Sequence, residues 1–340
     1  MTEMQIDIKS PYLIFLGDEP EETHAKTGLG IAHWRPELCT GQYRLPGSGV
    51  DLGLPDMTPA EARAAGAETM IWGVAGVGGT IPGHWVATLF EAVDAGLDIC
   101  AGTHSSLTEV PGLAEAAAIK AVALIDVRSP PPDLPVGTGA KRSGKRLLAM
   151  GTDCVVGKKY TALAIAKEMK DRGWNSDFRA TGQTGIMIAG GGIPIDAVVS
   201  DFVSGAAEIL SPDNDADHWD VIEGQGSLFH PGYAAVTLGL LHGSQPDAFV
   251  VCHAAGRKYV EAFPECLLPD IPTLIEQTIV CGHVTNAGIR CAGVSVNTSA
   301  MDADEREALL SELSELTGLP CVDPVATGVG PIVDYLDENF

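Results

Sequence analysis

Short apolar runs alternate with segments of helical period along the chain. Tyr12–Leu16 is a continuous apolar run ending at Gly17, the pattern of a strand buried on both faces. TPAEARAAG, from Thr58 to Gly66, predicts a helix. Thr58 stands at the N-cap, Pro59 at the first helical position, Glu61 near the positive end and Gly66 at the stop. Met70–Val74 reads as the next strand, followed by GVGGTIPG and a helix from about His84 to Ala95. Leu97–Cys100 and Val122–Val127 continue the series. This alternation predicts a parallel, Rossmann-like sheet.

Ser129–Lys145, SPPPDLPVGTGAKRSGK, is rich in Pro, Gly and Ser and reads as a linker. A second series follows. Arg146–Met150 predicts a strand, and a glycine loop leads into a helix with Ala162, Ile165, Ala166 and Met169 on one face. Trp219–Ile222, Ala248–Cys252 and Gly293–Val296 are further strands. The expected fold class is therefore α/β: a Rossmann-like domain over residues 1–128, a linker over 129–145, and a P-loop NTPase-like domain over 146–340.

Composition narrows the functions available. The 340 residues carry a net charge of −24, which disfavours nucleic acid as a partner because phosphate backbones need clustered Lys and Arg. No apolar run approaches the ~20 residues of a membrane span, and the N-terminal segment does not read as a signal peptide. The eight cysteines form no CxxC pair, which predicts reduced thiols in a cytoplasmic protein. The nine histidines show no HExxH-type spacing, so no metal site is expected.

The strongest chemical signal is GTDCVVGKKYTAL, from Gly151 to Leu163. Between a strand and a helix, Gly151, Thr152, Asp153, Cys154, Val155, Val156 and Gly157 would turn successive backbone N–H groups inward as an anion nest. The helix N-terminus and Lys158 would add positive charge. A nucleotide-hydrolysing loop follows its lysine with Ser or Thr to hold magnesium. Here Lys159 and Tyr160 follow instead, and an ammonium cannot ligate a metal. This favours a phosphate-bearing ligand whose charge is balanced without magnesium.

Three more polar motifs stand beyond strands. EGQGSLFHPGY, Glu223–Tyr233, places an acid at the carboxyl edge of a sheet, with Gln225, Ser227 and His230 behind it. RATGQTGIMIAGGG, Arg179–Gly192, reads as a glycine-rich loop offering Thr181, Gln183 and Thr184 to a polar substrate. CHAAGR runs from Cys252 to Arg257.

GTDCVVGK together with the downstream EGQGSL resembles the dethiobiotin-synthetase-like branch of P-loop proteins. The chain is more similar still to a P-loop family marked by GTDCxVGKKxTAL, ATGQTG, DFxxGAAE, EGQGSLxHPxY and LLHGSQPD. These stand here at Gly151, Ala180, Asp201, Glu223 and Leu240. WRPELCTGQYRLPG from Trp34 and LGLPDMTPAEA from Leu52 extend the resemblance over nearly the whole chain. Characterised members of that family are D-glutamate N-acetyltransferases that use acetyl-CoA beside an N-acetyl-D-glutamate racemase. The resemblance thus implies acetyl-CoA as co-substrate and a small amino-acid substrate; together with the residue readings above, no required metal, no membrane partner and a homo-oligomer are expected. The first-half loop GVAGVGGTIPG lacks a clean GxGxxG, against a dinucleotide site.

Acetyl transfer needs a base for the acceptor ammonium. Glu223 and Asp153 are candidates, with His230 behind them. Backbone at 182–185 or 224–226 could hold the oxyanion. Arg179, Arg257 and Arg44 could take the substrate's carboxylates. Two rival classes stay open: an ATP-dependent ligase or kinase, which Lys159 disfavours, and a non-catalytic nucleotide sensor.

Overall fold

The computed structural model describes residues 6, 8–74 and 80–340. It divides into two compact units. The first runs to Pro130 and includes Gln183–Pro194; the second comprises Pro131–Gly182 and Ile195–Phe340.

In the first unit, β1 (Tyr12–Gly17), α1 (Lys26–Trp34), β2 (Cys39–Arg44), α2 (Pro59–Ala64), β3 (Thr69–Trp72), α3 (Val86–Ala95), β4 (Asp98–Ala101), α4 (Leu113–Lys120) and β5 (Leu124–Asp126) follow in order. The strands lie as β2-β1-β3-β4-β5, and every pairing is parallel. This is the expected Rossmann-like architecture. The start of α2 follows its sequence signals: Thr58 accepts from the Glu61 amide while Glu61 bonds back to Thr58, a complete capping box. Part of the first-half glycine loop, residues 75–79, lies outside the described residues.

The second unit opens with β6 (Lys145–Gly151), α5 (Lys158–Asp171) and β7 (Ser176–Arg179). Then α6 (Gln183–Ala189) clusters with the first unit. The chain continues through α7 (Val203–Leu210), β8 (Trp219–Ile222), α8 (Ala234–Ser244), β9 (Ala248–Ala254) and a hairpin of β10 (Tyr259–Val260) and β11 (Phe263–Leu267). It closes with α9 (Ile271–Gly282), β12 (Arg290–Asn297), α10 (Ala303–Thr317), β13 (Cys321–Val322) and α11 (Gly330–Asn339). The six-stranded sheet has the order β13-β12-β9-β6-β8-β7 and is wholly parallel. Ala162, Ile165, Ala166 and Met169 of α5 pack on Leu147, Ala149, Val221 and Val250 of the sheet, as the helical spacing requires.

The glycine-rich segment after Arg179 differs from the loop reading. Gln183–Ala189 is a helix, and Thr184–Ile188 are buried. The run Ile186-Met187-Ile188 supplies an apolar payload, and Gly190, at φ 75°, supplies the left-handed stop. Residues 131–144 form no helix or strand but are tied to the second unit. Glu208 accepts from the amides of Thr138 and Gly139. Arg146 is fully buried and donates to the carbonyls of Arg142, Ser143, Gly144 and Pro212 and to Ser211. Each donor placed on a partner offsets the cost of burying the guanidinium.

The eight cysteines are free thiols. Among the described residues no helix is long and apolar enough to cross a membrane.

Candidate functional site

The turn-back of the second sheet lies at β6. The chain leaves β6 for β7 on one side and later returns to β9 on the other. Ligands of such sheets sit beyond the carboxyl ends of the strands at this reversal. Three loops meet that condition: 151–158 after β6, 223–233 after β8, and the segment from His253 at the end of β9.

Close backbone approach sets the glycine positions. A side chain at Gly224 would lie 1.6 Å from the Ala149 carbonyl oxygen, and Gly157 has φ 100°. Val155, at the loop tip, has φ 54°, a strained position for a β-branched residue. Arg257 holds that conformation from outside, donating to Cys154 O at 2.8 Å and to Val155 O at 3.5 Å. Lys158 begins α5 and donates Nζ to Asp153 O at 2.7 Å. Burial pulls its ammonium below the usual lysine range.

The three candidate bases have different surroundings. Asp153 is fully buried; Oδ1 accepts from the Cys154 amide at 2.7 Å, and Oδ2 from the Glu261 amide at 2.8 Å and Arg257 at 3.1 Å. It bolts the β10–β11 hairpin to the phosphate loop, which is an anchoring role. Glu223 is also buried, but its bonds use one oxygen: Oε2 accepts from the amides of Thr181 and Gly182, both at 3.0 Å. Burial pushes its carboxyl above the usual range, against the pull of Lys159 and those two amides. His230 directs Nδ1 to the amides of Gly232 and Tyr233, at 3.0 and 3.2 Å, and places Nε2 4.0 Å from Asp153 Oδ1.

Among the polar candidates, Thr181 Oγ1 donates to Glu223 O at 2.8 Å and receives Gln225 Nε2 at 3.1 Å. Ser227 Oγ donates to Thr152 O at 3.0 Å and so joins the second loop to the phosphate loop. Lys159 and Tyr160 are half-buried on the first turn of α5, with Nζ 5.4 Å from the Tyr160 ring centroid. The Thr161 hydroxyl turns into the core and pairs with Ser295 at 2.8 Å.

Other candidates are committed elsewhere. Arg179 Nε binds Asp220 at 2.7 Å, and Arg257 Nη1 binds Asp153 at 3.1 Å. Arg44 belongs to the first unit and pairs with Asp51 and Asp56. Gln183 and Thr184 also belong to the first unit; Thr184 Oγ1 lies 2.9 Å from Thr27 Oγ1, and the Gln183 side chain packs at Gly102.

Family models account for both units. Residues 43–130 match a Rossmann-like domain of unknown function, DUF1611_N, and residues 135–333 match its P-loop partner, the DUF1611_C domain. The chain belongs to the DUF1611 family. A DUF1611 protein from Anabaena variabilis, known from its crystal structure, superposes with a TM-score of 0.88. It is 31% identical over 97% of this chain and 100% of its own. Two curated relatives are named D-glutamate N-acetyltransferase. That of Tritonibacter scottomollicae is 48% identical over 97% of this chain and 99% of its own length. That of a Pseudoalteromonas species is 45% identical over 97% and 100%.

Sequence reasoning passed over two contributors to this DUF1611 site. His253, at the end of β9, lies 3.0 Å from Thr152 Oγ1, and burial with the nearby Arg257 lowers its pKa. Its place directly after Cys252 in a strand-end motif was an available signal. Phe263 brings its ring within 5.2 Å of His230; it sits 33 positions downstream of His230 in the sequence, and nothing local marks it.

Proposed function

We propose that this chain transfers the acetyl group of acetyl-CoA to the amino group of D-glutamate. The observation that carries the reading is the full-length similarity, at 48% and 45% identity, to two proteins named D-glutamate N-acetyltransferase. The local chemistry supports it. Coenzyme A carries a diphosphate and a 3′-phosphate. The 151–158 nest, the start of α5 and Lys158 and Lys159 together offer an anion site that needs no metal hydroxyl.

Glu223 is the base in this reading. Burial raises its proton affinity, and Oε1 has no hydrogen-bond partner among the described residues. The acceptor ammonium gives its proton to Glu223. The amine then attacks the thioester carbon; as the C–S bond breaks, the nitrogen gives up its second proton and the departing CoA thiolate takes it. Asp153 holds the loop and hairpin in register around that chemistry.

The test is direct. The purified protein is incubated with D-glutamate, or with L-glutamate as control, and with either acetyl-CoA or MgATP. N-acetyl-D-glutamate and free coenzyme A are the expected products by mass spectrometry. ADP release with a product other than the acetylated amino acid would replace this reading with a ligase or kinase.

A further inference from the structure

We infer that His230 is a hydrogen-bond donor to the acyl group and not a base, because the fold fixes which ring nitrogen carries the proton. Its carbonyl accepts the amides of Tyr233 and Ala234 at the turn into α8, at 3.3 and 3.1 Å. Its Nδ1 accepts the amides of Gly232 and Tyr233, at 3.0 and 3.2 Å. These are donors at a helix start, where backbone N–H groups need acceptors from outside the helix. An imidazole nitrogen that accepts backbone N–H groups cannot also carry a proton, so the proton of the neutral ring sits on Nε2.

The ring cannot readily escape this arrangement. It is 2% exposed, the Tyr233 ring covers it at 4.5 Å, and the Phe263 ring meets it edge-on at 5.2 Å. Nε2–H faces the phosphate loop. Asp153 Oδ1 is 4.0 Å away, beyond hydrogen-bond distance, and is already held by the Cys154 amide. The Cys154 thiol lies within 4.8 Å of a ring nitrogen of His230 and of Asp153, which also holds Arg257. The donor is thus fixed in direction, and Asp153 Oδ1 stands too far to use it.

The same arrangement closes a metal alternative. Asp153, Cys154 and His230 bring potential ligand atoms within 4.8 Å of one another. A metal at Nε2 would require the ring to surrender its remaining proton or to move that proton onto an Nδ1 already facing two N–H donors.

The assignment of the acceptor rests on the acetyl-transfer reading; the tautomer does not. When the acceptor amine bonds to the thioester carbon, the C–O π pair moves onto oxygen. Nε2–H of His230 stabilises that oxyanion. When the pair returns, the C–S bond breaks and the thiolate leaves with the second proton of the attacking nitrogen, the first having gone to Glu223 before attack. His230 keeps its proton throughout.

Nitrogen-15 NMR of the histidine-labelled wild-type protein tests the tautomer without any substrate. A protonated Nε2 and an unprotonated Nδ1 in the neutral ring are expected; the reverse pattern overturns the inference. Kinetics test the role. His230→Ala should lower kcat about 10²–10³-fold, as for loss of one oxyanion donor, with KM for acetyl-CoA held. His230→Gln returns an amide N–H near the Nε2 position and should recover at least about tenfold of that loss. The limbs of its kcat/KM pH profile should match wild type. Loss confined to KM, equal loss in both variants, or disappearance of a limb in the Gln variant each overturns the donor role. If the Ala variant does not fold, the wild-type spectrum and the Gln variant decide. If wild-type protein transfers no acetyl group, the proposed function fails while the spectrum still reports the tautomer.

Discussion

Lys158 donates Nζ to the backbone carbonyl of Asp153 at 2.7 Å, so the loop's charged group is held by the loop it serves. A phosphate that recruits this ammonium exchanges a neutral carbonyl acceptor for an anionic one. Lys158→Ala should therefore weaken coenzyme A binding by about 1.5–3 kcal/mol, measured by calorimetric titration. Unchanged affinity would remove the cofactor from this loop.

Glu223→Gln should lower kcat by about 10²–10⁴-fold while coenzyme A affinity barely moves, since glutamine keeps an oxygen for the Thr181 and Gly182 amides. Stability gives a second readout. Because burial raises the folded-state pKa of Glu223, the wild-type protein loses stability as pH rises from the ordinary carboxylate range through that raised value. The neutral variant escapes this loss. Its Tm relative to wild type should climb with pH over that interval and then level off. A variant with wild-type turnover at normal cofactor affinity would transfer the search for the base elsewhere.

Asp153→Asn should behave in the opposite way. Its carboxylate joins Arg257, the Glu261 amide and the Cys154 amide, and Asn cannot satisfy them all as strongly. We expect thermal stability and coenzyme A affinity to fall together, by about 1–3 kcal/mol in urea unfolding. A pure loss of kcat with unchanged stability would instead make Asp153 a participant in proton transfer.

Turnover should persist in EDTA. Lys159 stands where a hydroxyl would hold magnesium, and the Thr161 hydroxyl is paired with Ser295 at 2.8 Å. The assay is acetyl transfer before and after chelation, with magnesium restored as control. Activity abolished by EDTA and recovered with magnesium would contradict the metal-free reading.

What the sequence determined by itself was local: strand runs, the face of α5, the helix start at Thr58 and the phosphate loop. Each is legible because its cause spans a few residues, whether a helical repeat, a cap or a glycine that must take positive φ. The roles of the polar candidates were not legible in this way. Arg179 is held by Asp220, 41 residues on, and Arg257 by Asp153, 104 residues back. Three plausible bases in two motifs separate into an anchor, a base candidate and a tautomer-fixed donor only when their partners are known. Those partners include Glu261 and the amides of Thr181 and Gly182. A carboxylate's proton affinity depends on burial and on the groups that face it, and folding brings those groups from distant parts of the chain.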